Sequence, residues 1–383
     1  MSVERYEVVI GCEIHCQLLT KTKAFCACEN RYGGMPDTRV CPVCLGLPGA
    51  MPRVSKGYVE LGAVAGLALN CDIARFTKFD RKHYFYPDLA KGYQITQYDI
   101  PLCADGHVDL PFKHLPKDQQ PGGEKYRPLN FVGDNCDIDG QYRRVRVERI
   151  HLEEDVGKSL HLEGSHSYID YNRCGTPLIE IVTKPDISSP EEAALFMQTV
   201  QEILRYVGVT KGNLEEGNMR CDANINLRVW ENGKKYQTPI SEIKNLNSFR
   251  NVQRAIEFEI ARQTDVLDDG EKVIQETRLY DANKNITLSM RSKEDAQDYR
   301  YFPDPDLLPV VITDEELAQW AATQPELPEA RMNRYVNEMG IAEEHAEQLV
   351  ADPAVAAFFE KAAQLCGQPK KAANVILGML MRE

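Results

Sequence analysis

The stretch Arg220-Cys-Asp-Ala-Asn-Ile-Asn-Leu-Arg228 alternates polar and apolar residues without a break. Successive side chains of a β-strand point to opposite faces, so a strict period of two marks a half-buried strand. Cys221, Ala223, Ile225 and Leu227 form its apolar side. Arg220, Asp222, Asn224, Asn226 and Arg228 share the other. A helix would scatter both sets around its axis. The same alternation recurs near the N-terminus, where Glu13, His15 and Gln17 point one way and Cys12, Ile14 and Cys16 the other. Val8, Val9 and Ile10 extend a buried strand over Glu7 to Ile14. Short apolar runs punctuated by Gly, Pro and Asn continue to about residue 290, and strand signals dominate that region.

Helices interrupt the strands at identifiable places. Residues 55–69 are rich in Ala and Leu and read as a helix that stops near Asn70. Ser189 is a good N-cap, Pro190 suits a first turn and Glu192 completes a capping-box pattern. Phe196, Val200, Leu204 and Val207 then line one face before Gly208 ends the helix. Another helix follows Asn247-Ser248, with Val252, Ile256 and Ile260 at four-residue spacing. The polar segment 112–140, with Pro and Gly throughout, reads as an exposed insertion between strands. Phe302-Pro-Asp-Pro-Asp-Leu-Leu-Pro309 reads as a stiff linker, and short helical patterns follow it. The expected division is a domain over 1–293 and a small helical domain over 294–383.

No apolar run approaches the length of a membrane span, and Met1-Ser-Val-Glu-Arg5 lacks the apolar stretch of a signal peptide. The expected location is the cytoplasm. Twelve cysteines in such a chain argue for metal ligands rather than a disulfide framework. Cys26-Ala-Cys28 and Cys41-Pro-Val-Cys44 form two pairs in one turn-rich segment, and the second resembles a zinc knuckle. Four thiolates would make a closed, structural Zn2+ site. The remaining cysteines, Cys12, Cys16, Cys71, Cys103, Cys136, Cys174, Cys221 and Cys366, read as small apolar fillers.

Three polar clusters remain: Glu13 with His15, the acids of His151-Leu-Glu153-Glu154-Asp155, and the Arg220–Arg228 face preceded by Glu215-Glu216. Each alone fits a solvated strand face. Together, acids that hold hard cations beside arginines and amides that neutralise phosphoryl oxygens suit a cavity for Mg2+ and phosphates. Phe79-Asp-Arg-Lys-His-Tyr-Phe-Tyr-Pro-Asp88 mixes aromatic and basic residues, as a base or ribose platform does, although core aromatics with an exposed basic rim are by themselves the commoner explanation. No Walker-type loop is present and no G-x-G-x-x-G follows a strand, so a nucleotide would bind by another mode. The net charge of −13 argues against non-specific adhesion to nucleic acid through bulk charge, though not against a local basic surface.

The stretches VIGCEIHCQL, FDRKHYFYPDLAKGYQITQYD, RIHLEEDVGKS, DYNRCGTPLIEIV, LEEGNMRCDANINLR, EIKNLNSF, QETRLYD and DYRYFPDPDLLP run in order over nearly the whole chain. With them the sequence resembles the B subunits of aspartyl/glutamyl-tRNA amidotransferases. The resemblance implies an α+β fold, a largely antiparallel, kinase-like and glutamine-synthetase-like β cradle followed by a small helical domain. It implies ATP-dependent phosphorylation of the side-chain carboxylate of Glu-tRNA(Gln) or Asp-tRNA(Asn), then amidation by ammonia. The ammonia would come from a partner, the amidase or A subunit, and a small C subunit would clasp the pair. By motif, Glu13, His15 and Glu154 resemble Mg2+ ligands. Glu215, Glu216, Asp222 and Asn224 are further candidates in the same cavity, and Lys82, Tyr84, Lys158 and Arg220 are candidate phosphate or ATP contacts. Such proteins usually continue into a C-terminal tail domain that helps hold tRNA, and this sequence stops within or just after its helices. A zinc-bearing adaptor without catalysis and an unrelated ATP-grasp-like ligase are the competing readings. The first requires Glu13 and His15 to be replaceable, and the second requires a glycine-rich flap that is not evident.

Overall fold

The computed structural model describes residues 5–127, 137–161, 166–231, 233–292 and 299–381. In chain order its principal elements begin with β1 (Arg5–Gln17), α1 (Lys56–Ala68), β2 (Asp72–Ile73), β3 (Asp80–His83), β4 (Tyr93–Thr96), β5 (Cys103–Pro111), β6 (Tyr142–Glu154) and β7 (Pro177–Thr183). There follow α2 (Pro190–Tyr206), β8 (Met219–Glu231), β9 (Ser241–Leu246), α3 (Phe249–Asp268), β10 (Glu276–Asp281), β11 (Ile286–Ser292) and β12 (Phe302–Pro303). The last part of the chain is helical: α4 (Asp314–Ala322), α5 (Pro328–Asn337), α6 (Glu343–Val350), α7 (Pro353–Cys366) and α8 (Pro369–Val375).

Among the described residues an eleven-stranded sheet is the frame, with spine order β11-β10-β9-β8-β1-β7-β6-β5-β2. All neighbours in this spine are antiparallel except β9 and β10. The architecture is α+β, as expected. β1 sits centrally, with Ile10, Cys12, Ile14 and Cys16 buried in the main core. Its register decides everything that follows: His15 lies opposite Glu180 of β7 and Arg220 of β8, and Glu180 lies opposite His151 of β6.

Helices α1, α2 and α3 cover the apolar face. Ser189 Oγ accepts the Glu192 N–H at 3.1 Å, which caps α2, and Phe196, Val200 and Leu204 are fully buried. The Glu192 carboxylate departs from a reciprocal capping box, because it accepts from Ser188 instead. Gly66 lets α1 approach β5 closely, since a Cβ there would lie 2.4 Å from Cys103 Sγ. Ser248 caps α3 in the same way as Ser189 caps α2.

One polar cluster lies under this apolar face. Glu259 of α3 is fully buried and accepts from Arg262, Gln263 and Thr287, with Arg278 3.4 Å away. Burial raises its carboxyl, but Arg262 and Gln263 outweigh that and hold it below the usual range. Its stabilisation is therefore complete above the ordinary carboxylate pKa and is lost as pH falls through the lower folded-state value. Removing one member of a buried ion pair leaves the others uncompensated. Glu259→Ala is expected to cost about 3 kcal/mol at neutral pH, read by urea unfolding, and an unchanged midpoint would contradict this account.

Two expectations need correcting. The segment 112–140 is not simply an exposed insertion: Phe112 and Leu115 are buried, and Lys113 pairs with Glu343 and Glu347 of α6. Residues 128–136 of it, with Cys136, lie outside the described residues. The stretch 302–309 is not a free linker. Phe302 pairs with Arg81 in a three-stranded sheet of β12, β3 and β4, and Asp304 and Asp306 bind Arg81. Ile312 and Trp320 join the main core. A second core, around Tyr335, Leu349, Phe359 and Ile376, begins only with α5. Proline-rich composition signals an extended backbone, and here Phe302 and Pro303 pair as a strand while Asp304 and Asp306 tie the following turn to Arg81. Cys12, Cys16, Cys71, Cys103, Cys174 and Cys221 are buried, whereas Cys366 is exposed. No helix among the described residues is long and apolar enough to cross a membrane.

Candidate functional site

The face of the sheet opposite the helices carries a band of ionisable groups. At its centre His15 Nε2 lies 3.4 Å from Glu153 Oε1 and 3.4 Å from Glu180 Oε2. His151 Nε2 is 3.2 Å from Glu180 Oε2 and 3.8 Å from Glu153 Oε2. The strands β1, β7 and β6 supply these groups side by side. Glu153, Glu180 and His151 are buried, and the Nδ1 atoms of both histidines are buried without a hydrogen-bond partner. One ligand atom each from His15, Glu153 and Glu180 falls within 4.8 Å of the others. An imidazole and two carboxylates converging in this way fit a divalent cation.

The electrostatics agree with that fit. Burial disfavours charge on His15 and His151, but Glu180 and Glu153 outweigh it; both imidazoles are raised, His151 to about 9. Burial likewise opposes the Glu180 charge, and the two histidines hold its carboxyl well below the usual range. The imidazoles and Glu180 thus favour one another's charge, and a bound cation would take over the imidazoles' part.

Several residues singled out in the sequence surround this triad. Glu13 lies two residues from His15 on the same face and accepts from Asn224 Nδ2 at 2.8 Å; burial and then Glu180 raise its carboxyl. Asp222 accepts from Lys244 at 3.0 Å. Arg220 lies 3.7 Å from Asp155, and Asp155 accepts from Gln17 at 2.8 Å. Lys82 of β3 is held 4.8 Å from the Tyr299 ring; burial opposes its charge, but Glu153 and Tyr301 favour it and the ammonium is raised. Tyr84 is raised by burial and then by Glu153.

Others are not brought to the triad. Glu154 points to the opposite face of β6, where it pairs with Lys91 and accepts the Ile95 N–H at 3.0 Å. The cause is strand alternation: His151 and Glu153 share a face, and Glu154 cannot join them. Lys158, Glu215 and Glu216 line a separate cleft of about 610 Å³ that begins at Gln17. The sequence reading did not single out Glu153 as a candidate ligand, nor Glu180 or His151. Two signals were present: applying period two to 151–155, and a lone acid in the apolar run Leu178-Ile-Glu-Ile-Val182.

The cysteine pairs form a second centre. Cys44 Sγ lies 3.5 Å from Cys26 Sγ, 3.7 Å from Cys41 Sγ and 3.8 Å from Cys28 Sγ. Four thiolates around a tetrahedral zinc lie about 3.8 Å apart, given Zn–S bonds of about 2.3 Å. The donor set therefore fits Zn2+, with no position left open. Fully buried Lys23 donates to Cys44 Sγ at 3.5 Å and to the Arg39 carbonyl at 2.8 Å. The hydrogen bond from Cys26, and then the charge of Lys23 against the opposing effect of burial, lower the Cys44 thiol to about 4. Cys28 is raised to about 11, first by burial and then by Cys44.

Comparison with known proteins identifies the family. Residues 8–318 match the family model described as the GatB/GatE catalytic domain. The B subunit of aspartyl/glutamyl-tRNA(Asn/Gln) amidotransferase from Treponema denticola is 51% identical over 381 residues, covering 98% of this chain and 73% of that protein. The protein of the same name from Nitratidesulfovibrio vulgaris is 49% identical over 379 residues, covering 99% and 74%. That from Treponema pallidum is 51% identical, covering 98% and 70%. A family match over most of the sheet and half-identity along nearly the whole chain place this protein in the family of aspartyl/glutamyl-tRNA(Asn/Gln) amidotransferase B subunits, with the GatB/GatE catalytic domain as its main body.

Proposed function

We propose that this chain works, as the names of its relatives state, in a tRNA-dependent amidotransferase, converting Glu-tRNA(Gln), Asp-tRNA(Asn) or both into the amide forms. In this reading the chain is part of a ligase, and its polar face activates the carboxylate with ATP. The observation that carries the reading is the triad of His15 with the buried Glu153 and Glu180, and Lys82 and Arg220 beside it.

A carboxylate does not react with ammonia until one of its oxygens becomes a leaving group. The γ-phosphoryl group of ATP would pass to a carboxylate oxygen, forming a new P–O bond and breaking the bond to the ADP oxygen. Ammonia then adds at the acyl carbon, the C–O bond breaks, and inorganic phosphate and a proton leave. His15, Glu153 and Glu180 would hold Mg2+, which when bound neutralises charge on the transferring phosphoryl oxygens. Lys82 and Arg220 approach the same region and supply fixed positive charge to those oxygens. Glu13, held by Asn224, adds a further carboxylate at the edge of the triad. Asp222 is occupied by Lys244 and acts as support. The four cysteines would carry structural Zn2+. Ammonia would come from an amidase partner, the A subunit, and the assembly would be completed by a small C subunit.

The test uses the chain with its amidase partner and misacylated tRNA. Lys82→Met is expected to lower tRNA-dependent ATP cleavage about 100-fold while divalent-cation binding stays intact, and Lys82→Arg should recover part of the rate. Undiminished ATP cleavage in Lys82→Met would remove Lys82 from the reaction.

A further inference from the structure

Lys23 is 1% exposed, and among the described residues no other lysine is buried so deeply. A lysine is almost never taken fully out of water unless its charge is paired. Lys23 makes no ion pair with a carboxylate among the described residues; its ammonium donates to the Arg39 carbonyl at 2.8 Å and to Cys44 Sγ at 3.5 Å. A carbonyl has no net charge, so of these two contacts the cysteine centre alone can balance the ammonium. Lys91 packs its stem beside Gly46 of the same loop, but its own charge is taken by Glu154.

The main body of the protein holds Lys23 in place. Ala24 and Phe25 belong to the main core, and the Ala24 N–H donates to the Gly175 carbonyl at 2.8 Å. The Lys23 N–H donates to the Cys28 carbonyl at 2.9 Å, which ties the first cysteine pair to the same base. Through its ammonium, Lys23 also joins Arg39 to Cys44, so the turn that carries Cys41 is bridged at both ends.

Four thiolates around a divalent zinc form a dianion. Cys44 is buried and the other three thiols are half-buried, so such a charge is costly there without an opposite charge close by. A hydrogen bond to a ligating sulfur also draws electron density from it and makes it a weaker nucleophile. We propose that Lys23 is the built-in counter-ion of the cysteine centre, a positioning residue that fixes the Cys44 sulfur, keeps it unreactive and so retains the metal. This rests on the zinc reading given under Proposed function.

The test uses the full chain loaded with zinc or, for spectroscopy, with cobalt(II). Lys23→Met keeps the length of the side chain and removes its charge and its donors. It is expected to release zinc to a chromophoric chelator about tenfold faster than the wild type. The sulfur-to-cobalt charge-transfer band should move to lower energy, because the hydrogen bond no longer stabilises the sulfur electrons. Lys23→Arg, which keeps a charged donor, should recover part of both effects. Divalent-cation binding at the triad should not change and serves as the control for folding.

An unchanged release rate in Lys23→Met would overturn the proposal. So would faster release with an unmoved band, which marks a packing defect alone. If Lys23→Met does not fold, the wild type carries the test. Reductive methylation, read by peptide mass spectrometry, should spare Lys23 in the loaded chain and reach it once a chelator has removed the metal. Modification of Lys23 in the loaded chain, or protection in both states, would overturn the proposal. A wild-type chain that takes up neither zinc nor cobalt would refute the zinc reading and the proposal with it. A wild type that takes up both, beside an indistinguishable Lys23→Met, would refute the role of Lys23 and leave the zinc reading standing.

Discussion

Glu180→Gln is expected to lower divalent-cation affinity by at least about 100-fold and to abolish tRNA-dependent ATP cleavage when the amidase partner and misacylated tRNA are present. Glu153→Gln should do the same. Both carboxylates are buried and face His15, so neutralising either removes one of the two charges that converge on it. Glu154→Gln makes the contrast. Its carboxylate serves Lys91 and Ile95 on the other side of the strand, so cation affinity should hold while stability falls. Glu13→Ala should lose ATP cleavage but keep cation binding at the triad. Calorimetric titration with Mg2+ and Mn2+ decides among these. Loss of binding in Glu154→Gln with retention in Glu180→Gln would sink the assignment. The pH dependence has a definite sign. His15 and His151 are raised by Glu180 and Glu153, His151 to about 9, so a cation must displace protons to bind. Affinity should therefore climb as pH rises toward about 9, and a flat profile would remove the histidines from the site.

The second large effect concerns the cysteine centre. Cys44→Ser should eliminate a bound zinc and release residues 26–53 from protection, with amide exchange there faster by at least about 100-fold. Cys44 is the thiol that all three others approach, and Lys23 is aimed at it. The main sheet should keep its protection, because its core is built from β1, α1, α2 and α3 rather than from the loop. Exchange measured by mass spectrometry, with metal content on the same samples, tests this. A zinc-free variant with an unchanged loop would show the centre to be inert.

Much of the frame was legible because its determinants are local. Period two in 220–228 and in 12–17 specified which side chains of β8 and β1 face solvent, and the burial of Ile14, Cys16, Cys221 and Ile225 follows it. Ser189 and Ser248 cap their helices because capping depends on the next three residues alone. The cysteine pairs lie within nineteen positions of one another, and such short loops close readily. The linker reading of 302–309 went astray for the opposite reason. Proline restricts the backbone locally, but whether an extended backbone is free or paired depends on a distant partner, here Arg81.

The site itself was only half legible. Glu13 and His15 were found from their strand face, and family resemblance supplied the cation. Sequence alone determined the two faces of each strand, the helix caps, the thiol cluster and the family. The tertiary structure decided which strands stand beside β1 and in what register. That order sets Glu180 and Arg220 on either side of His15, brings Glu153 with it, turns Glu154 away, and sends Lys158 and Glu216 to the cleft. The physical reason is that side-chain direction is written in a strand's own alternation, whereas its neighbours are selected by long-range pairing and shared burial.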